Sequence, residues 1–407
     1  MNKAVFDEIK MITKAIIATG NGGRLEKGSR AKDIPGGAET DENSEAKNSE
    51  IQLQIYDEKN CASLYEIFSS ITETNNNSHF QEDFTSTVLK SGKAISPIDA
   101  GTCILDSSRT AAFIRATYEA IERAKEKFRG DLPIRVLYAG CGPFAPFATA
   151  LSTVFSPDEV LFTVIDIHRR SIESVKKIVT ALGIEGNFSD IITANATSFK
   201  SKHSKKYHVL IVEVMQRALS VEPQVAIMAN LIEELIPGGY TVPKKISIEA
   251  YLGDPNIIFS LGSQQGNGPD KLNKLEKSNL LRLGKVLDIS PDLIRKMVKN
   301  KVDFTKADSP ILRSYIFIPA QKSKEVYLML FTRVELTRQI TLERMSSGIT
   351  IPVVFTKLGP FKESEFIEFG YIVDGDKTGI RYRAITKGSV KLKIKGLINF
   401  IITNVIE

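Results

Sequence analysis

The chain has no tryptophan, only three cysteines and only four histidines in 407 residues. Three widely spaced cysteines form neither a disulfide framework nor a zinc-ligand spacing. No histidine follows His208, so no motif built on histidine or tryptophan stands beyond that point. No apolar run approaches the ~20 residues a membrane-spanning helix needs, and the amino terminus lacks a signal-peptide pattern. A membrane is therefore not an expected partner, and the cytoplasm is the expected compartment. Internal repeats are absent. Net charge is only +6, and the basic cluster Lys200-Ser-Lys-His-Ser-Lys-Lys206 falls in a predicted loop. A solvated surface explains such a cluster, so nucleic acid is not an expected partner.

What is present is ordinary globular composition, 42% apolar and 25% charged, long enough for two or three domains. Residues 133–243 organise the rest. The run Ile134-Arg-Val-Leu-Tyr-Ala is apolar on both faces, as in a strand buried in a parallel sheet. It breaks at Gly140-Cys-Gly142, where glycines permit a tight turn and close approach of a ligand. A helix is expected over 145–155, then a strand Val160-Leu-Phe-Thr-Val-Ile ending in Asp166. That acid lies 26 residues beyond Gly140, a suitable place for a carboxylate accepting two ribose hydroxyls. A helix over 169–182, a strand at 191–195 ending in Asn195, and a strand over 207–213 closed by Glu213 continue the alternation. Glu222-Pro223 opens a further helix, and the sequence at 237–243, Pro-Gly-Gly-Tyr-Thr-Val-Pro, is expected to end it as a turn. Strand and helix in alternation predict a parallel α/β sheet covered on both faces.

The flanks differ in character. Residues 1–50 are expected to be a flexible tail with a short helix over 5–18, since 20–50 has almost nothing to bury. A helical segment follows over 51–130. It includes a helix beginning near Arg109, capped by Ser107 or Ser108. The α/β domain is assigned to 131–245. Residues 246–407 are expected to form an antiparallel β-barrel or sandwich with a helical insertion near 270–303, comprising helices over 272–287 and 290–298. That insertion could cap the site or support a homodimer. Predicted strands lie at 313–318, 325–334, 338–345, 366–373, 379–385 and 391–401, with Asp374-Gly375 as a turn.

The glycine turn carries Phe144 in place of a further glycine, which disfavours a nicotinamide-dependent oxidoreductase. The first strand with its glycines, Asp166 and Asn195 instead resemble the class I S-adenosylmethionine-dependent methyltransferases, with their Rossmann-like domain. That resemblance implies S-adenosylmethionine as cofactor. Gly140 and Gly142 would lie beside its amino-acid part, Asp166 would hold the ribose, and Asn195 would lie by the adenine. A narrower resemblance is to the protein arginine methyltransferases. It rests on Leu105-Asp-Ser-Ser-Arg109-Thr110, on Glu213 and Glu222 nine residues apart, and on Ile236-Pro-Gly-Gly-Tyr-Thr-Val-Pro243. By this likeness Arg109 pairs with the cofactor carboxylate, and Glu213 and Glu222 are catalytic. No metal is implied.

The chemistry of two such acids is direct. A guanidinium presents a planar fork of donors, and carboxylates accept them in charge-assisted bonds. Glu222 also suits a helix amino terminus and Glu213 a strand end, without any catalytic part. The chain departs from the family at three points. It lacks the Thr-His-Trp loop and carries Tyr138 where an acid is frequent. It also carries Val-Met-Gln-Arg-Ala-Leu after Glu213, which puts Arg217 near the acceptor. A small-molecule substrate is thus as open as a protein. Two alternatives remain: a small-molecule O- or C-methyltransferase, and an inactive methyltransferase-fold binding protein. His168 as a base and Cys141 as a nucleophile are both outweighed by plainer structural parts.

Overall fold

The computed structural model describes residues 2–19, 42–202, 206–262, 280–304, 310–319, 326–358 and 365–385. Helix α1 (Lys3–Thr19) buries Ile9, Ile12 and Ile16, one apolar face at helical spacing. The short helix expected over 5–18 is present here as α1, packed through that face. Residues 20–41 lie outside the described chain. Helix α2 (Glu42–Thr72) buries Cys61, Leu64 and Phe68. Next come a hairpin of β1 (Thr87–Leu89) and β2 (Gly92–Ala94), then α3 (Pro97–Thr102) and α4 (Ser107–Lys127).

The cap of α4 is Asp106, not either serine, because its carboxylate accepts from Arg109 N at 3.3 Å. Arg115, midway along α4, fastens the amino-terminal helices. Its Nη2 donates to both oxygens of Asp57 on α2 at 2.6 and 2.7 Å, and its Nε donates to Ile16 O on α1 at 2.6 Å.

Five strands then build a parallel sheet: β3 (Ile134–Ala139), β4 (Val160–Asp166), β5 (Phe188–Thr193), β6 (Tyr207–Val212) and β7 (Leu235–Val242). Their order is β5-β4-β3-β6-β7. Order reverses between β3 and β6, which makes the crevice at their carboxyl ends the expected ligand site of such a Rossmann-like sheet. Val136, Leu137, Val164, Ile165, Val209 and Ile211 are buried in it.

Three readings are corrected here. The helix expected over 145–155 is a short α5 (Pro146–Thr149) followed by a 3-10 turn over Leu151–Thr153. The helix expected from Glu222 is α7 (Gln224–Leu231), so Glu222 precedes it. Helix α6 (Arg169–Leu182), between them, is as expected. The expected turn at 237–243 belongs to β7. Its Pro-Gly-Gly sits where the register against β6 jumps, from Tyr207↔Leu235 to Val209↔Tyr240. A bulge is where a strand tolerates proline.

The carboxy-terminal part forms two antiparallel sheets. One joins β8 (Lys245–Gly253), β9 (Leu281–Ile289), β11 (Val326–Glu335), β12 (Thr341–Leu342) and β13 (Val353–Leu358). The other joins β10 (Leu312–Ile318), β14 (Glu365–Ile372) and β15 (Gly379–Ile385). Between β8 and β9 lies α8 (Pro255–Gly262), and after β9 lies α9 (Pro291–Lys299), capped by Ser290 as expected.

The helix expected over 272–287 is contradicted. Leu281–Ile289 pairs antiparallel with β8, and the partner strand overrides local helical spacing. Residues 272–279, and the strand expected at 391–401, lie outside the described residues. The strand expected at 338–345 shrinks to Thr341–Leu342, and β13 was not foreseen.

Candidate active site

Four of the five parallel strands deliver expected residues to the same rim. Gly140 and Gly142 follow β3, Asp166 ends β4, Asn195 follows β5 and Glu213 follows β6. Together with Arg109 near the start of α4 and Glu222 before α7, all seven line one cavity of about 290 Å³. The structure therefore brings the whole expected set together.

The glycines are required by shape. Gly140 has φ +68°, and a Cβ there would lie 2.2 Å from Val214 Cγ2. Gly142, at φ +62°, donates its N–H to Asp166 Oδ2 at 2.9 Å. Asp166 Oδ1 accepts from His168 N at 2.8 Å. Asp166 thus closes the glycine turn, and a carboxylate with about four acceptor directions keeps two for a ligand. Asn195 Oδ1 is engaged by Thr197, through N at 2.9 Å and Oγ1 at 2.8 Å. Its oxygen shapes the turn, and only its amide nitrogen is without a bond among the described residues.

At the other end of the cavity sits an acidic pair with one cation. Arg109 Nη2 donates to Glu213 Oε2 at 2.7 Å, the two side chains being 12% and 7% exposed. The arginine expected to meet a cofactor carboxylate is here bound to the first glutamate. Burial works against its charge, but Glu213 beside it holds Arg109 well above its ordinary value.

Glu213 Oε1 is buried with no hydrogen-bond partner among the described residues. A buried orphan acceptor is costly, ~1–3 kcal/mol, and in a cleft it marks where a donor belongs. Burial, opposed by Arg109, pushes the Glu213 carboxyl up to about 7. Glu222 is 5% exposed. Burial and then the neighbouring Glu213 push it up to about 8. Both acids are thus held toward their protonated forms, and Glu222 is the one that Arg109 does not bond.

The loop between these acids is held against its own preference. Ala218, Leu219 and Val221 have φ of 54°, 51° and 67°, a conformation costing ~1–3 kcal/mol for each residue with a side chain. Neighbours over-determine it. Ala218 N donates to Thr332 Oγ1 on β11 at 2.9 Å, and Tyr371 on β14 donates its hydroxyl to Leu219 O at 3.1 Å. Val221 N donates to Thr378 O at 2.8 Å, and Lys93 N of the hairpin donates to Val221 O at 2.9 Å. The antiparallel sheets and the hairpin thereby position both glutamates.

Gln224, fully buried, straddles Glu213. Its Oε1 accepts from Val214 N and its Nε2 donates to Val212 O, both at 2.9 Å. Sequence reasoning missed Gln224, Thr332, Tyr371 and Thr378. Only Gln224 carried a signal, an amide just after Glu-Pro, and the others act from across the fold.

Remaining candidates fall into place. Phe144 is 1% exposed, its ring lodged against Tyr65 and Phe68 at centroid distances of 6.0 and 5.8 Å. It is wall, not plug. Tyr138 is buried and stacks on Phe147 at 5.2 Å. His168 lies beside Asp166, Nδ1 to Oδ1 3.4 Å, with Nε2 3.2 Å from Thr87 Oγ1. It docks the hairpin. Burial pushes the Cys141 thiol well up, away from nucleophilic use. No group of side chains able to hold a metal ion occurs among the described residues.

No family model and no curated protein matches the chain. Among solved structures it is similar to the Trypanosoma brucei PRMT1 enzyme–prozyme heterotetrameric complex with AdoHcy. Identity is 14% and the TM-score 0.48, over 71% of this chain and 93% of that one. The fold assignment rests on the strand order and the sheets themselves. No helix among the described residues is long and apolar enough to cross a membrane.

Proposed function

We propose that this protein is an S-adenosylmethionine-dependent methyltransferase acting on a guanidino or amine nitrogen held by Glu213 and Glu222. The observation that carries the reading is the buried acid pair in one cavity with a glycine turn whose two glycines are left-handed and whose Gly140 has no room for a Cβ. The residues fit the cofactor. Gly140 and Gly142 would leave room for its amino-acid part, Asp166 has acceptor directions for a ribose, and Asn195 has its amide nitrogen for the adenine. Arg109 has donors beyond the one bonded to Glu213 for its carboxylate.

When bound, the cofactor supplies a methyl group on a sulfonium, open to in-line displacement. The protein's share is to align the acceptor and set its protonation. Glu213 Oε1 and the Glu222 carboxylate accept N–H bonds from the acceptor, fixing its plane and drawing positive charge toward themselves. An acid pushed up to about 8 is also well matched to take the proton released as the nitrogen is alkylated.

Calorimetric titration with S-adenosylmethionine and with NAD tests the cofactor. Binding of the first alone is expected, and binding of NAD alone would overturn the reading. Incubation with methyl-labelled cofactor and cell extract, fractionated by size, then separates protein from small-molecule acceptors. Cofactor binding with no transfer to any nucleophile would favour a non-catalytic binding protein.

A further inference from the structure

We infer that the acceptor is a free zwitterion, an amino or guanidino compound that carries a carboxylate, with Arg217 binding that carboxylate while Glu213 and Glu222 hold the cationic end. This deepens the methyltransferase reading and rests on it for the cationic end.

Six ionisable carboxylate, imidazole and guanidinium side chains line the cavity: Arg109, Asp166, His168, Glu213, Arg217 and Glu222. Arg109 and Glu213 are bound to each other, and Asp166 and His168 are engaged together and with the backbone and Thr87. Two remain. Glu222, 5% exposed, and Arg217, exposed at the mouth, make no side-chain hydrogen bond or ion pair among the described residues, nor with each other. The cavity therefore holds one acid and one cation that are both unspent.

A peptide arginine would satisfy only the acid. Its guanidinium would also meet the like charge of Arg217, and its backbone would offer that residue neutral carbonyl oxygens but no opposite charge. A zwitterion satisfies both. Flexibility does not supply an easy escape, because the backbone beneath Arg217 is fixed. Ser220 donates to Arg217 O through Oγ at 2.8 Å and N at 3.2 Å, and Ala218 N is held by Thr332. Such a planar fork suits carboxylate recognition.

The test is calorimetric binding to the full chain loaded with S-adenosylhomocysteine. The probes are arginine, lysine and shorter ω-guanidino carboxylates, each paired with its carboxamide, plus an arginine peptide blocked at both ends. At least one carboxylate is expected to bind about tenfold to a hundredfold more tightly than its carboxamide. In Arg217→Gln that preference is lost, whereas in Glu222→Gln both members weaken alike. Equal binding of carboxylate, carboxamide and blocked peptide in the parent protein overturns the inference, as does binding of none of the carboxylates. If S-adenosylhomocysteine itself does not bind, the methyltransferase reading fails. The same pairs titrated into the unloaded protein then still report whether Arg217 selects a carboxylate.

Discussion

Glu222 is the residue on which pH acts. Its carboxyl, pushed up to about 8 by burial and by Glu213, is protonated at neutral pH in the free protein. A cationic acceptor must displace that proton. Acceptor affinity is therefore expected to rise about tenfold per pH unit below that value and to level above it. Calorimetry in buffers of different ionisation enthalpy should record about one proton released per acceptor bound. In Glu222→Gln the slope and the proton release are both expected to vanish. Gln224 makes a different prediction. Gln224→Leu leaves Val214 N and Val212 O without partners, at ~1–3 kcal/mol each, so the melting temperature should fall. Turnover should fall further than cofactor affinity does, because Glu213 sits between those two backbone groups.

At the scale of elements, the loop from Glu213 to Glu222 is held by distant strands, and its left-handed residues would relax without them. Thr332→Val removes the hydroxyl that accepts from Ala218 N. It is expected to raise hydrogen exchange across 217–222 and lower turnover, while the affinity for S-adenosylmethionine changes little. Unchanged exchange in that segment would mean the loop holds itself. This is also where the sequence ran out. The β3, β4 and β6 strands were readable, because buried parallel strands are continuous apolar runs with a glycine or an acid at the end. The strand β9 was not, because Leu281–Ile289 has apolar spacing that suits a helix and only the ladder to β8 decides it. Tyr371 and Thr378 gave no signal, since a strand residue that donates or accepts across the fold looks like any other. The seven expected residues that line the cavity could be picked out because each stands near a strand or helix end, where a turn exposes chemistry.

For the whole molecule, the acid pair sets a stability cost. Both carboxyls are raised in the folded state above the ordinary 4.5 of the unfolded chain, to about 7 and about 8. The folded state therefore binds more protons between those values, and the pair's contribution to stability is full below about 4.5 and declines as pH rises to about 8. Thermal melts of the cofactor-free protein should show this decline, and Glu222→Gln should flatten it. The hairpin, α3, α4, the rim of the parallel sheet and the turn at Gly348-Ile349 line one cavity, and Thr332 on β11 and Tyr371 on β14 hold its loop, so its assembly draws on elements far apart in the chain.

The central claim, that two buried glutamates hold a nitrogen for methylation, is tested most directly by transfer from methyl-labelled S-adenosylmethionine under single-turnover conditions, parent protein against Glu213→Gln. The account predicts label on an acceptor nitrogen and a rate at least about a hundredfold lower in the variant, with cofactor binding retained. Transfer at the parent rate, or label on oxygen or carbon, would contradict it.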